Sequence, residues 1–188
     1  EPEKARTIDV TDRFFDVLGV DPLLGRRFAR GEDRPGAERV VIIGHGLWQR
    51  RFGGDPAALG RVVRLDDQPH TIIGVAPPGF AYPEQTEVWR PLGWDPAQHS
   101  RSARFFEVVA RLRPGLTVPQ TRADIAALGR RLEQDYPDSN LGWGGLVVPL
   151  HEQLVGDVRP ALLVLLGAVA FVLLIACANV ANLLLARA

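Results

Sequence analysis

A run of twenty-five residues without a single charge, Ala161–Leu185, lies near the end of this 188-residue chain. As an α-helix the run would be about 37 Å long at about 1.5 Å per residue, enough to cross a hydrocarbon layer about 30 Å thick. A buried helix in a soluble protein rarely stays apolar on every side over such a length. The run therefore predicts a transmembrane helix. Arg159 and Arg187 bracket it, which suits an interfacial position at each end and leaves the orientation open.

Two asparagines interrupt the apolar composition of this run. Asn179 and Asn182 are three residues apart, so on a helix they share a face with Ile175 and Ala186. A side-chain amide in hydrocarbon needs a hydrogen-bond partner, and another membrane helix commonly supplies one. The alternative is that both amides lie near the headgroups and are hydrated. Because Leu183–Leu185 continue the apolar run beyond them, we predict that Asn179 and Asn182 contact another membrane helix.

The residues before the run predict a mixed α/β domain of the α+β class. Alternating or β-branched segments indicate strands at Arg6–Val10, Val40–Ile43, Arg61–Leu65, His70–Val75, Arg104–Leu112 and Leu146–Leu150. Apolar residues at helical spacing indicate helices through Phe14–Leu18, through Leu47–Phe52 and from Thr117 to Tyr136.

Turn and cap residues support several of these elements. Thr11 or Asp12 is expected to cap the first helix, and Asp66–Pro69 is expected to form a four-residue hairpin loop. Thr117 and Gln120 have the spacing of a capping box at the start of the long helix.

A proline-bearing loop is expected to continue from about Ala76 to Ser102. Trp89 and Trp94 in this loop could line a binding surface or cover an edge of the sheet, and packing is the favoured interpretation.

The charge balance argues against nucleic-acid binding through the net charge of the whole chain. Lysine and arginine total 22, as do aspartate and glutamate, so the formal net charge is zero and no nucleic-acid partner is expected. The single cysteine, Cys177, lies in the apolar run, so the fold depends on packing without an intrachain disulfide. The chain starts at Glu1 without a methionine, and we expect it to be a segment of a longer protein.

Motifs for chemistry are missing from the sequence. The four histidines, His45, His70, His99 and His151, form no HExxH pair, and no CxxC motif accompanies them. A nucleophile elbow at Gly44–Gly46 would need a serine where His45 stands, and no P-loop is present. We therefore predict no catalytic residues, no cofactor and no metal site. A hydrolase that uses His45 or His70 is the remaining enzymatic alternative.

Four stretches of the sequence carry a family resemblance. They are VTDRFFDVLGVDPLLGRRF at 10–28, VVIIGHGLWQRRFGGDPAALGRVVRLDDQPHTIIGVAPPGF at 40–80, VARLRPGLTVPQTRADIAAL at 109–128 and LLIACANVANLLLARA at 173–188. With these stretches in the family's order, the chain resembles a MacB-like periplasmic core domain joined to the start of an FtsX-like permease. It is similar to the large predicted permeases of acidobacteria.

The resemblance implies a non-catalytic permease subunit of an ABC-type transport or mechanotransmission system. The expected partners are a cytoplasmic ATP-binding subunit or domain, the other transmembrane helices of the same permease, a second copy in a dimer, and the lipid bilayer. The expected location is the bacterial inner membrane, with residues 1–150 in the periplasm. The alternative is a tail-anchored extracytoplasmic binding domain without ATPase coupling.

The resemblance also implies a division of the chain. Residues 1–150 would be a partial, two-lobed periplasmic domain, and residues 151–188 would start the permease domain, with the transmembrane helix at 161–185. The distal lobe, with its β-hairpin, would cover 40–92, and the membrane-proximal lobe would combine 6–18 with 105–150.

Overall fold

A computed structural model describes residues 3–155 and 158–187. The chain divides into two compact units, Glu1–Arg111 and Leu112–Ala188. Each unit is described by itself.

The first unit contains a six-stranded mixed sheet. Its strands are β1 (Thr7–Val10), β2 (Leu24–Gly25), β3 (Val40–Ile43), β4 (Val62–Leu65), β5 (Gln68–Val75) and β6 (Val88–Pro91). The order is β1-β6-β3-β5-β2, and β4 pairs with β5 beyond this path. The pairs β1–β6 and β3–β5 are parallel, while β3–β6, β2–β5 and β4–β5 are antiparallel. Two helices, α1 (Phe14–Leu18) and α2 (His45–Phe52), accompany the sheet. The predicted mixed α/β class is confirmed.

Strand β3 forms the centre of this unit because both of its faces are covered. All four of its residues are buried, as the uninterrupted apolar sequence VVII predicts. Successive side chains of a strand point to opposite faces, and the core is divided accordingly. Val41 and Ile43 pack with Leu47 and Trp48 of α2, whereas Val40 and Ile42 belong to the cluster on the other face.

Aromatic side chains fill the second cluster. The Phe15 ring lies 5.7 Å from the Trp89 ring, and Phe80 lies 5.2 Å from Trp89, both measured between ring centroids. Phe15 and Trp89 are fully buried. Trp89 lies in β6, an interior strand, and its indole nitrogen donates a hydrogen bond to the carbonyl of Tyr82 at 2.9 Å. The predicted loop at 76–102 is therefore wrong over 88–91, although packing is indeed the role of Trp89.

Helix α1 starts differently from its prediction. Its N-cap is Arg13, and no side chain caps the helix. The carboxylate of Asp12 instead accepts a hydrogen bond from the backbone N–H of Gly31 at 2.8 Å, and the Asp12 N–H donates to Asp33 at 3.1 Å. The capping role expected for Thr11 or Asp12 is therefore wrong, because Asp12 holds the charged loop at 31–33.

The β4–β5 hairpin has a shorter loop than predicted. Gln68 and Pro69 pair with Leu65 and Arg64, which leaves only Asp66 and Asp67 in the turn. Their φ angles are +49° and +61°, the positive values that a type I′ turn requires at both central positions. The turn is therefore a two-residue connection.

The second unit contains the long predicted helix. Helix α3 (Val118–Asp135) begins with the expected capping box, in which the Gln120 N–H donates to the Thr117 hydroxyl and the Gln120 side chain accepts from the Thr117 N–H. Three further helices follow: α4 (Pro137–Asn140), α5 (Leu150–Val155) and α6 (Val158–Arg187). None of the α3 residues is buried.

Two predicted strands are not found in the described residues. The segment 104–112 is irregular, and Val108 in it is 86% exposed. The segment 146–149 is also irregular, and Leu150 begins α5 instead. A strand requires a neighbour for its backbone hydrogen bonds, and the alternating sequence does not provide that neighbour by itself.

The lobe boundaries implied by the resemblance stay a prediction. In the structure, β1 pairs with β6, and Phe15 of α1 packs in the same core as β3. Residues 7–18 therefore share a sheet and a core with residues 40–91.

Helix α6 contains the whole predicted transmembrane segment. Within the described residues it is the one helix long and apolar enough to cross a membrane, over Leu162–Arg187, and its candidate span has no buried residues.

Replacement of Asp67 by glycine should stabilise the hairpin. A residue with a Cβ pays about 1 kcal/mol for the left-handed conformation, so Asp67→Gly should raise the free energy of unfolding by about 0.5 kcal/mol after the entropy of glycine is counted. Asp67→Ala, which keeps the Cβ, should lower it. Urea unfolding in mild detergent, followed by tryptophan fluorescence, measures both. Identical stabilities of the wild type and both variants would contradict the two-residue turn.

Candidate functional site

A cleft of about 830 Å³ lies where β3 ends and α2 begins. Three segments of the first unit line it: Lys4–Arg6 before β1, Gly44–Leu47 at the start of α2, and residues 79–81 with 85–87 before β6. The carboxyl end of β3 thus opens into the cleft.

Backbone hydrogen bonds fix the walls of the cleft. The N–H of Gly44 donates to the carbonyl of Glu87 at 2.7 Å, and the N–H of Glu87 donates to the carbonyl of Arg6 at 2.9 Å. Main-chain hydrogen bonds therefore join the segment of Gly44 to that of Glu87, and the segment of Glu87 to that of Arg6. The approach at Gly44 is close, since a Cβ there would lie 3.2 Å from the Glu87 oxygen.

Helix α2 begins at this cleft without a side-chain cap. Its N-cap is Gly44, which has no side chain to accept a hydrogen bond from the first turn. The predicted strand at Val40–Ile43 leads through Gly44 directly into α2, and the His45 ring packs edge to face on Trp48 with centroids 5.6 Å apart. The cleft therefore offers first-turn N–H groups and an imidazole.

Charges around the cleft are largely paired. Arg50 donates to the Glu87 carboxylate at 2.7 Å and to Glu3 at 3.1 Å. The hydrogen bond to Glu87, followed by the one to Glu3, raises the pKa of Arg50 above its ordinary value. Arg6 donates to the carbonyl of Glu84 and lies 3.8 Å from its carboxylate. Exposed ion pairs of this kind contribute little to stability. They therefore determine the charge distribution around the cleft and have little effect on the free energy of unfolding.

The four histidines occupy different local environments. His70 is buried in β5 with its Nδ1 3.0 Å from the Gln68 carbonyl, and His99 lies 2.9 Å from the Asp95 carbonyl and against Trp94. His151 is exposed on α5. Among the residues that the structure describes, no group of three or more histidine, cysteine or carboxylate side chains could hold a metal ion.

The asparagine pair lies where the sequence placed it. Asn179 and Asn182 are both exposed on α6, three residues apart and on one side of the helix. Their contact with another membrane helix stays a prediction.

These features define a class: a mixed α/β domain followed by a helix suited to a bilayer. The family model of the MacB-like periplasmic core domain matches residues 2–128. The chain belongs to this family, which implies a membrane protein with an extracytoplasmic segment. The match includes all six strands and ends within α3, so α6 and the FtsX-like assignment of residues 151–188 lie outside it.

Two proteins of similar sequence have export names. The chain is 33% identical over 90 residues to a protein of Pseudomonas fluorescens (strain Pf0-1) named "Probable export ATP-binding/permease protein", covering 46% of this chain and 14% of that protein. It is 28% identical over 109 residues to the macrolide export ATP-binding/permease protein MacB of Burkholderia thailandensis, covering 56% of this chain and 16% of that protein. The chain thus matches only a small part of these relatives' length.

A solved structure shares the fold. The periplasmic region of MacB from Actinobacillus actinomycetemcomitans superposes with a TM-score of 0.51 at 14% identity, over 71% of this chain and 58% of that chain. At this identity the likeness concerns the fold alone.

Gly44 and Gly46, the two cleft glycines at the start of α2, should respond oppositely to alanine. A Cβ at Gly44 would press on the main chain of Glu87, so Gly44→Ala should lower the free energy of unfolding by about 1–3 kcal/mol. A Cβ at Gly46 would meet only the end of the Arg50 side chain at 3.4 Å. Because alanine favours a helix over glycine, Gly46→Ala should raise the free energy of unfolding by about 0.5 kcal/mol. Urea unfolding measures the free energy of unfolding of both variants. Equal losses of stability in the two variants would contradict the close approach of Gly44 to the main chain of Glu87.

Proposed function

We propose that this chain is the extracytoplasmic domain, with one membrane-spanning helix, of an ABC-type export permease in the bacterial inner membrane. The observation that carries the proposal is the family match over residues 2–128, followed in the same chain by the exposed apolar helix α6. Residues 1–150 would lie in the periplasm.

The chain itself would be non-catalytic, and ATP would be bound and hydrolysed by a cytoplasmic subunit or domain. The two relatives have ATP-binding/permease names, yet this chain covers only 14% and 16% of them, and its own sequence has no P-loop. The nucleotide chemistry would therefore belong to other parts of such a system.

The first unit is suited to mechanical work as a single piece. Its central strand is covered on both faces, and Arg90 of β6 ties β1 to the hairpin turn. The Arg90 guanidinium contacts the Asp9 carboxylate at 2.6 and 3.1 Å and Asp66 at 3.3 Å. The hydrogen bond to Asp9 is the main cause of the raised pKa of Arg90. Such cross-links resist local deformation. A domain that is displaced as a unit by the movement of a membrane helix requires this resistance.

Labelling of single cysteines tests the location. In a Cys177→Ser background, Arg64→Cys places a thiol on an arginine position whose side chain is 73% exposed, and a cysteine appended after Ala188 reports the far side of α6. A membrane-impermeant maleimide applied to intact cells should label the first and spare the second. Labelling of both thiols, or only of the second, would overturn the proposed arrangement.

Asn179 and Asn182 would contact other transmembrane helices of the same permease, including those of a second copy in a dimer. Changing both to leucine removes amides that can donate and accept across the interface, at about 1 kcal/mol for each of two hydrogen bonds, so association should weaken about thirtyfold. Energy transfer between labelled copies in liposomes measures this. Val180→Leu, directed away from the pair, is the matched control. An equal loss in the control, or none in the double variant, would contradict the contact.

A further inference from the structure

Helix α5 directly precedes the candidate membrane span and is amphipathic despite its length of six residues. At about 100° per residue, Leu150, Leu154 and Val155 fall within an arc of about 140°, and Glu152 and Gln153 lie on the other side. His151 falls inside the apolar arc.

Two of the three apolar residues of α5 are exposed within the described structure, while Leu150 is half-buried. Leu154 is 58% exposed and Val155 is 40% exposed, and no residue of α5 is buried. A helix of this length is unstable in water unless another surface stabilises it. Leu154 and Val155 therefore require another surface that covers them.

The distance along the chain identifies that surface. Val155 is three residues before Val158, where α6 begins, and seven before Leu162, where the candidate span begins. Three extended residues and four helical ones reach at most about 17 Å. If α6 spans the bilayer, Leu162 lies at one boundary of the hydrocarbon layer, because the 26-residue span of about 39 Å is long enough to cross all of a layer about 30 Å thick. Helix α5 is therefore within reach of the bilayer surface.

We propose that α5 lies on the membrane surface, with Leu154 and Val155 inserted at the boundary of headgroups and acyl chains. The proposal rests on the proposed function, because it needs α6 to span the bilayer. Helix α5 contains one acidic residue, Glu152, and no lysine or arginine, so insertion depends on apolar area and not on attraction to anionic lipid. The helix would fix the height of α6 at the extracytoplasmic surface.

Spin labels at single cysteines test this in the whole 188-residue chain. In the Cys177→Ser background, Leu154→Cys and Val155→Cys report the apolar side, and Glu152→Cys and Gln153→Cys are the matched controls on the polar side. Leu174→Cys, in the middle of α6, reports the span itself. Each labelled chain is reconstituted into phosphatidylcholine liposomes, and collisions with oxygen, which concentrates in lipid, and with a water-soluble nickel chelate are measured.

The expected result is a gain of oxygen collisions and a loss of nickel collisions at 154 and 155 relative to 152 and 153, with lipid depth at 174. Equal and high nickel collisions at all four α5 positions would overturn the proposal by placing α5 in water. Low collisions with both reagents at 154 and 155 would overturn it by placing protein over them. If 174 also collides freely with nickel, the membrane assignment of α6 fails as well, which separates the two failures.

Discussion

The exposed apolar surface of α6 is the constraint on which the functional interpretation depends. A helix satisfies its own backbone hydrogen bonds, so it can enter hydrocarbon without polar cost to the main chain. The side chains of α6 require an apolar surrounding, and the described residues cover none of the candidate span. Lipid and neighbouring membrane helices are the surroundings that meet this need, and the two asparagines would decide which part of the helix faces protein.

The first unit, which precedes α6 in the sequence, instead buries its own apolar core. Its core is built on both faces of β3, its aromatic cluster is closed around Phe15 and Trp89, and several surface arginines, Arg50 and Arg90 among them, form ion pairs with carboxylates. Such a domain gains little from further burial and can move as one piece. The second unit differs, because α3 and α5 have no buried residue, and we expect its apolar side chains to be covered by lipid or by other parts of the permease.

Local signals in the sequence predicted much of this structure. Buried β3, the capping box at Thr117 and the long apolar helix each depend on residues close together in the chain, and each was found. Strand β6 was missed because four residues that include Pro91 give little local signal, and their burial depends on β1 and β3 on either side. The strand predicted at 104–112 failed for the converse reason, since alternation describes a strand but does not supply its partner. The cleft joins segments about 40 and 80 residues apart, so no spacing in the sequence could indicate it.

Hydrogen–deuterium exchange of the whole chain in liposomes tests the central claim most directly. The amides of residues 162–185 are predicted to exchange far more slowly than the amides of the irregular segment 104–112, because lipid excludes water from the helix. The protection should persist at urea concentrations that unfold the first unit. Rapid exchange along α6 in liposomes, or protection that disappears together with the fold of residues 3–111, would contradict the account.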